Sequence, residues 1–205
     1  MFIFAFVGTD TEGYYINNNG RKSHSYNAPE SLRTALNGVN SSEVLSLSGG
    51  PHGKYLLQAR GNYSDSRGVA DGVHIRDVVF YTFGGRNVWF AHLTKHTKWS
   101  NLENSLKLRI DAVGASNIRS LSMGVNDSWA MVYMAESHNL SWSTRGTPST
   151  LHNELRSESV HDVKNIVLSP FDANHWWIEY GNGQTSYDLP RAWYEDIERI
   201  RHHSN

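Results

Sequence analysis

The sequence repeats itself, with a strand-like apolar segment and a later aromatic residue recurring at a pitch of roughly 40 to 45 residues, the range of blade-like and solenoid arrays. Ile75, Ile118 and Val163 open three successive units at intervals of 43 and 45 residues. Trp99, Trp142 and Tyr187 take a later place in each unit at the same two intervals. Units this short cannot bury a core alone, so they must stack on one another to fold. The 205 residues therefore read as a single repeat domain, with units at about 1–42, 43–74, 75–117, 118–162 and 163–205.

The fourth unit shows the pattern best. Ile118 to Met123 alternates apolar and polar residues, Gly124 to Asp127 supplies a turn, and Ser128 to Ala135 is a Trp/Val/Tyr-rich partner strand. A third strand follows around Leu140 to Ser143, and Leu151 and Leu155 form a short apolar helical stripe beyond Pro148. The fifth unit keeps the order, with Val163 to Leu168, a turn, His175 to Tyr180, and a helical face of Trp193, Ile197 and Ile200, for which Asp188 is the expected N-cap. In the third unit Trp99 precedes Leu102, Leu106 and Ile110. The first runs from Phe2 to Val7 through Tyr14 to Ile16 and Tyr26, ending in Leu32 and Leu36. The second lacks both the late aromatic and the helical stripe over residues 61–74.

Five units of about three short strands with a variable helical segment predict a mainly β fold. The arrangement expected is a closed five-bladed β-propeller with short helices between blades, because closure removes strand edges. An open twisted stack is the alternative, since three strands per unit is fewer than the usual four. Binding residues would then sit on the turns.

In pitch, in turn glycines and in landmarks such as Ser128-Trp129-Ala130 and Trp142-Ser143, the chain resembles small β-propeller lectins of the tachylectin-2 kind and repeat proteins of fungal type. The resemblance implies sugar binding in repeated pockets. It carries over no sugar ligand residue by residue.

Composition narrows the classes of function. The formal net charge is −1 without a Lys/Arg run, so the basic face of a nucleic-acid binder is missing. With no cysteine there is no disulfide, thiolate nucleophile or Cys-ligated metal. No apolar run approaches the roughly 18 residues that span a bilayer, and the apolar opening reads as a first strand rather than a secretory signal. The expectation is a soluble cytoplasmic protein without membrane insertion. On that footing the sequons at Asn40, Asn62, Asn126 and Asn139 carry little weight.

Seven Trp, ten Tyr and seven Phe exceed what a core of this size requires, and an indole offers a stacking face to the C–H groups of a sugar. Trp89, Trp129, Trp176 and Trp177 fall mid-strand, where packing between blades is the simpler reading. Alternation would send Trp176 and Trp177 to opposite faces and leave one partly exposed. Trp99, Trp142, Tyr187 and Tyr26 sit beside polar turns. The expected pockets pair Trp99 with Lys98 and Asn101, Trp142 with His138 and Asn139, and Tyr187 with Asn182 and Gln184. Partners would be glycans or glycoconjugates, bound weakly at several sites without catalysis.

Two other functions stay open: a protein-interaction propeller, and an enzyme whose hub-mouth site uses Asp65, Arg67, Asp71 and His74 in the divergent second unit. His92 and His96 have a metal-ligand spacing only if helical, and the pattern there is strand and turn. His202 and His203 fall in the chain's tail. Neither a metal nor a cofactor is expected.

Overall fold

The computed structural model describes residues 2–61, 63–85, 87–157 and 162–201; Asn62, His202 and His203 lie outside them. The fold is mainly β, with five three-stranded antiparallel sheets, each made of consecutive strands in meander order. Sheet 1 holds β1 (Phe2–Gly8), β2 (Glu12–Asn18) and β3 (Arg21–His24); sheet 2 holds β4 (Val44–Gly49), β5 (Tyr55–Ala59) and β6 (Tyr63–Arg67). Sheet 3 is β7 (Val78–Phe83), β8 (Trp89–Leu93) and β9 (Thr97–Ser100), and sheet 4 is β10 (Ile118–Met123), β11 (Trp129–Met134) and β12 (Leu140–Arg145). Sheet 5 is β13 (Val163–Leu168), β14 (Trp176–Tyr180) and β15 (Thr185–Asp188). Four helices follow sheets 1, 3, 4 and 5: α1 (Glu30–Asn37), α2 (Asn104–Val113), α3 (Ser149–Leu155) and α4 (Tyr194–Arg201). Among the described residues, no helix is long and apolar enough to cross a membrane.

Each helix fills the gap between two sheets. Leu32 and Leu36 of α1 pack between sheets 1 and 2, Leu106 and Ile110 of α2 between sheets 3 and 4, and Leu151 and Leu155 of α3 between sheets 4 and 5. Ile197 and Ile200 of α4 pack between sheet 5 and sheet 1, against Trp177 on one side and Phe4 and Tyr14 on the other. Between sheets 2 and 3 there is no α-helix among the described residues, and Val73 does the filling with Val69, Ala70 and Ile75. This is why the second unit loses its stripe and its length.

The first strands contact one another in succession, β1 with β4, β4 with β7, β7 with β10, β10 with β13, and β13 with β1. At Gly49 the approach is so close that a Cβ would lie 1.9 Å from the Phe6 carbonyl oxygen. Polar side chains stitch adjacent sheets as well. Ser48 Oγ donates to the Tyr81 carbonyl, and the Leu168 N–H donates to Ser122 Oγ at 2.8 Å. Asn17 Nδ2 donates to the Ser41 carbonyl at 2.7 Å, and in the next sheet Gln58 Nε2 makes the equivalent tie to the Ile75 carbonyl at 3.4 Å and also reaches Val78 O at 3.1 Å.

Several expectations from the sequence are corrected. Ile75 lies in a short 3-10 turn, Ile75–Asp77, and Val78 is the residue equivalent to Val44, Ile118 and Val163. The late aromatics are not equivalent either: Trp99 pairs with Phe90 and Tyr187 with Trp177, whereas Trp142 pairs with Val132, one inward-facing step further from the first hairpin. Thr144 holds the register position in sheet 4 that Trp99 holds in sheet 3. Trp176 and Trp177 do point to opposite faces, yet both are buried, because each face of sheet 5 is covered by a neighbouring sheet and helix. Asp188 ends β15 rather than capping a helix; Pro190 precedes a 3-10 turn, Arg191–Trp193, that leads into α4.

The mid-strand indoles act as inter-element ties. Trp129 Nε1 donates to Ser105 Oγ at 3.3 Å at the start of α2, and Trp176 Nε1 donates to Thr150 Oγ1 at 3.0 Å at the start of α3. Tyr14 occupies the corresponding position in sheet 1, opposite Phe6, and its hydroxyl donates to Asp196 Oδ2 of α4 at 2.7 Å. In all three cases the second strand bonds the helix that packs before its own sheet.

Candidate functional site

Of the four aromatics expected to bind ligand, two are well exposed. Trp99, on the edge strand β9, is 41% exposed and stacks on Phe90 with ring centroids 6.2 Å apart and planes at 11°. Lys98 points to the opposite face of β9, where its ammonium donates to the Gly72 carbonyl at 2.7 Å, and Asn101, at φ 54°, donates through Nδ2 to the Asn87 carbonyl. Tyr26 is 90% exposed in the turn after β3, with the Arg33 guanidinium 5.8 Å from its ring centroid. The indole of Trp99 is thus oriented by its own strand and sheet, while Tyr26 projects from a loop.

The other two are engaged internally. Tyr187 stacks on Trp177 at 5.1 Å, Arg201 sits 5.4 Å over its ring, and its hydroxyl donates to Glu198 of α4. Burial, followed by Glu198, pushes the Tyr187 phenol up to about 12. Asn182 and Gln184 bond each other in the tight turn before β15. Trp142 is half-buried against the core between sheets 4 and 5, and His138 and Asn139 are exposed in the turn before β12, with His138 at φ 61°.

The second-unit set does not assemble into a site. Asp65 is half-buried on β6, Arg67, Asp71 and His74 are exposed, no hydrogen bond or ion pair joins any two of them, and none lines the central cavity. His92 lies in β8 and His96 in the turn that follows, so the two never share a helical face. Among the described residues, no group of three or more His, Cys, Asp or Glu is placed to hold a metal.

One concavity lies among the first strands. All five first strands line a cavity of about 440 Å3, within the range of small-molecule sites. Its geometry follows from a feature the repeat pattern conceals. In β4, β7, β10 and β13 the register slips by one residue after the first position, a β-bulge that turns Leu45, Val79, Arg119 and Lys164 outward. Leu45, Arg119 and Lys164 stand at the cavity wall. The sequence signal was available: a second strand residue out of alternation in four units, apolar in two and cationic in two.

Lys164 Nζ lies 2.5 Å from Glu179 Oε1 and is neutralised there. Arg119 has no carboxylate partner among the described residues; one guanidinium N–H reaches the Ser116 carbonyl at 3.4 Å. Its charge acts on His92, whose imidazole is held below the ordinary histidine range first by burial and then by Arg119. Ser120 Oγ, next to Arg119 and on the cavity wall, is buried without a hydrogen-bond partner.

A second polar cluster lies where sheets 1 and 5 meet. His175 Nδ1 donates to Glu12 Oε2 at 2.6 Å, Ser169 Oγ donates to Glu12 Oε1, and Ser169 accepts the N–H groups of Phe171 and Asp172. The carboxylate stands between the hydroxyl and the imidazole, and Ser169 is 1% exposed, so no base activates an accessible nucleophile. The cluster is a seam contact. Burial raises the Glu12 carboxyl above its ordinary range despite the Ser169 and His175 hydrogen bonds. A raised carboxyl means that the folded state holds this proton more tightly, so its contribution is fully present below the unfolded pKa and is lost as pH rises through the folded pKa. The stability of the native protein relative to Glu12→Gln should therefore decline as pH rises above about 4, the ordinary carboxylate range, in urea melts at fixed salt. An increase instead would mean that His175 and Ser169 outweigh burial.

Comparison of the chain with protein-family models, with curated proteins and with solved structures finds no match in any of the three.

Proposed function

We propose that the protein is a non-catalytic carbohydrate-binding module built on a closed five-bladed β-propeller, with Trp99 as its principal ligand contact. Closure is supported by the cyclic succession of first-strand contacts and by α4, which fills the gap between sheets 5 and 1 as α1, α2 and α3 fill theirs. The sugar reading rests on one observation, the exposed indole of Trp99 held flat on Phe90. An indole fixed in orientation before binding loses little freedom when a pyranose face stacks on it. Asn101, two residues further along the chain, supplies a polar group, whereas Lys98 faces the other side of β9.

The expected stoichiometry is one dominant site rather than four alike, since Tyr187 is consumed in packing and Trp142 sits elsewhere in the register. Glycan-array hits followed by titration calorimetry test this. Trp99→Ala should weaken the best hit about tenfold, ~1.4 kcal/mol, while Tyr187→Phe and Ser157→Ala leave it unchanged. A blank array, or a hit indifferent to Trp99→Ala, defeats the sugar reading. A protein-binding platform is the second reading, favoured by Tyr26 at 90% exposure; a defined partner captured through Tyr26 and insensitive to free sugars would select it.

A further inference from the structure

We propose that the central cavity is a second, separate site that binds an amphipathic organic carboxylate, its acid group on Arg119 and its aliphatic body inside. The charge balance at the wall leads to this ligand. Two cations, Arg119 and Lys164, border the cavity, and one carboxylate, Glu179, neutralises Lys164. One positive charge is left without a counterion beside a lining rich in apolar side chains, among them Ile3, Phe80 and Val167. A lone charge beside low-dielectric walls favours an incoming charge of opposite sign.

The anion's valence and shape follow from the same residues. One uncompensated guanidinium matches a monoanion, and its planar fork fits the two oxygens of a carboxylate. A phosphate dianion would carry one negative charge too many into an apolar enclosure. Burial, and then Arg119, both disfavour the charged form of His92. Exposed Leu45 at 46%, on the same bulge position as Arg119, extends the apolar surface outward, as a chain longer than the cavity would need. None of these groups belongs to the Trp99 surface.

Titration calorimetry of the full chain with sodium decanoate, against decanol as the neutral analogue, tests the proposal. Decanoate should bind with one-to-one stoichiometry and at least tenfold more tightly than decanol. Arg119→Gln should weaken decanoate at least tenfold and leave decanol unchanged, and Arg21→Gln on β3 should change neither. The absence of saturable decanoate binding at millimolar concentration, equal binding of acid and alcohol, or an unaffected Arg119→Gln would each overturn it. The comparison of acid with alcohol uses the unmodified protein, so it decides the matter even if a variant fails to fold. Trp99→Ala leaves decanoate binding intact, which keeps failure here distinguishable from failure of the sugar reading.

Discussion

Trp177→Ala should lower the unfolding free energy by about 3–5 kcal/mol, the range for deleting a large buried aromatic, and should do so without touching any exposed surface. The indole is 1% exposed and lies within a column of parallel rings. Phe4 stacks on it at 4.5 Å and 5°, Phe2 at 5.2 Å and 19°, and Tyr187 at 5.1 Å and 4°. Two of these rings come from sheet 1, one from sheet 5, and Tyr187 is in turn held by Glu198 and Arg201 of α4. One side chain therefore joins the first sheet, the last sheet and the last helix. Set against a whole-domain stability of about 5–15 kcal/mol, its loss removes a large fraction of what keeps the protein folded. Trp99→Ala, by contrast, deletes a ring already 41% in solvent and should fall within about 1 kcal/mol of the native protein. Urea denaturation of the two variants, with Trp177→Phe as a partial restoration, measures both. A Trp177→Ala penalty below about 1.5 kcal/mol would mean that the column is ornamental to stability.

The contrast between the two tryptophans marks what a sequence can and cannot display. Alternation and turn residues located Ile118–Met123 and Val163–Leu168 to the residue, because apart from the bulge after the first position their side chains keep the period of two set by the strand itself. The helical stripes of Leu102, Leu106 and Ile110 and of Trp193, Ile197 and Ile200 were legible for the same local reason. Burial of Trp176 was not, because it depends on a neighbouring sheet and helix far away in sequence. Register was the other casualty. Trp142 looks equivalent to Trp99 by spacing, but differences in turn length between hairpins place it opposite Val132 instead. The bulges that turn Arg119 and Lys164 outward insert one residue without altering composition, so a repeat period alone passes over them. The candidate sugar contact was visible in sequence, and the central cavity was not.

Removing the chain from Leu189 onward should prevent cooperative folding of the remainder. That truncation takes away Leu189, Ile197 and Ile200, all buried, together with Trp193, which packs on Tyr14 at 4.7 Å and on Phe6 at 6.4 Å. At about 1.5–3 kcal/mol for each large apolar side chain withdrawn from water, the four together amount to most of a domain's stability. The Tyr14–Asp196 hydrogen bond and the Asn18 Nδ2 bond to the Ile200 carbonyl go with them. The consequence depends on architecture. In a closed ring, opening one seam exposes apolar faces on both sheet 1 and sheet 5 and leaves Phe4, Phe6 and Trp177 in water, so the loss spreads beyond the helix itself. In an open stack, α4 would cap one end only, and the first sheet, four units away, would not notice its absence. Hydrogen exchange of β1 and β2 amides separates the two outcomes: loss of protection in sheet 1 upon truncation at the far end of the chain is expected of the ring. Full protection there, with a cooperative urea transition retained, would place α4 outside the closure and return the array to an open form.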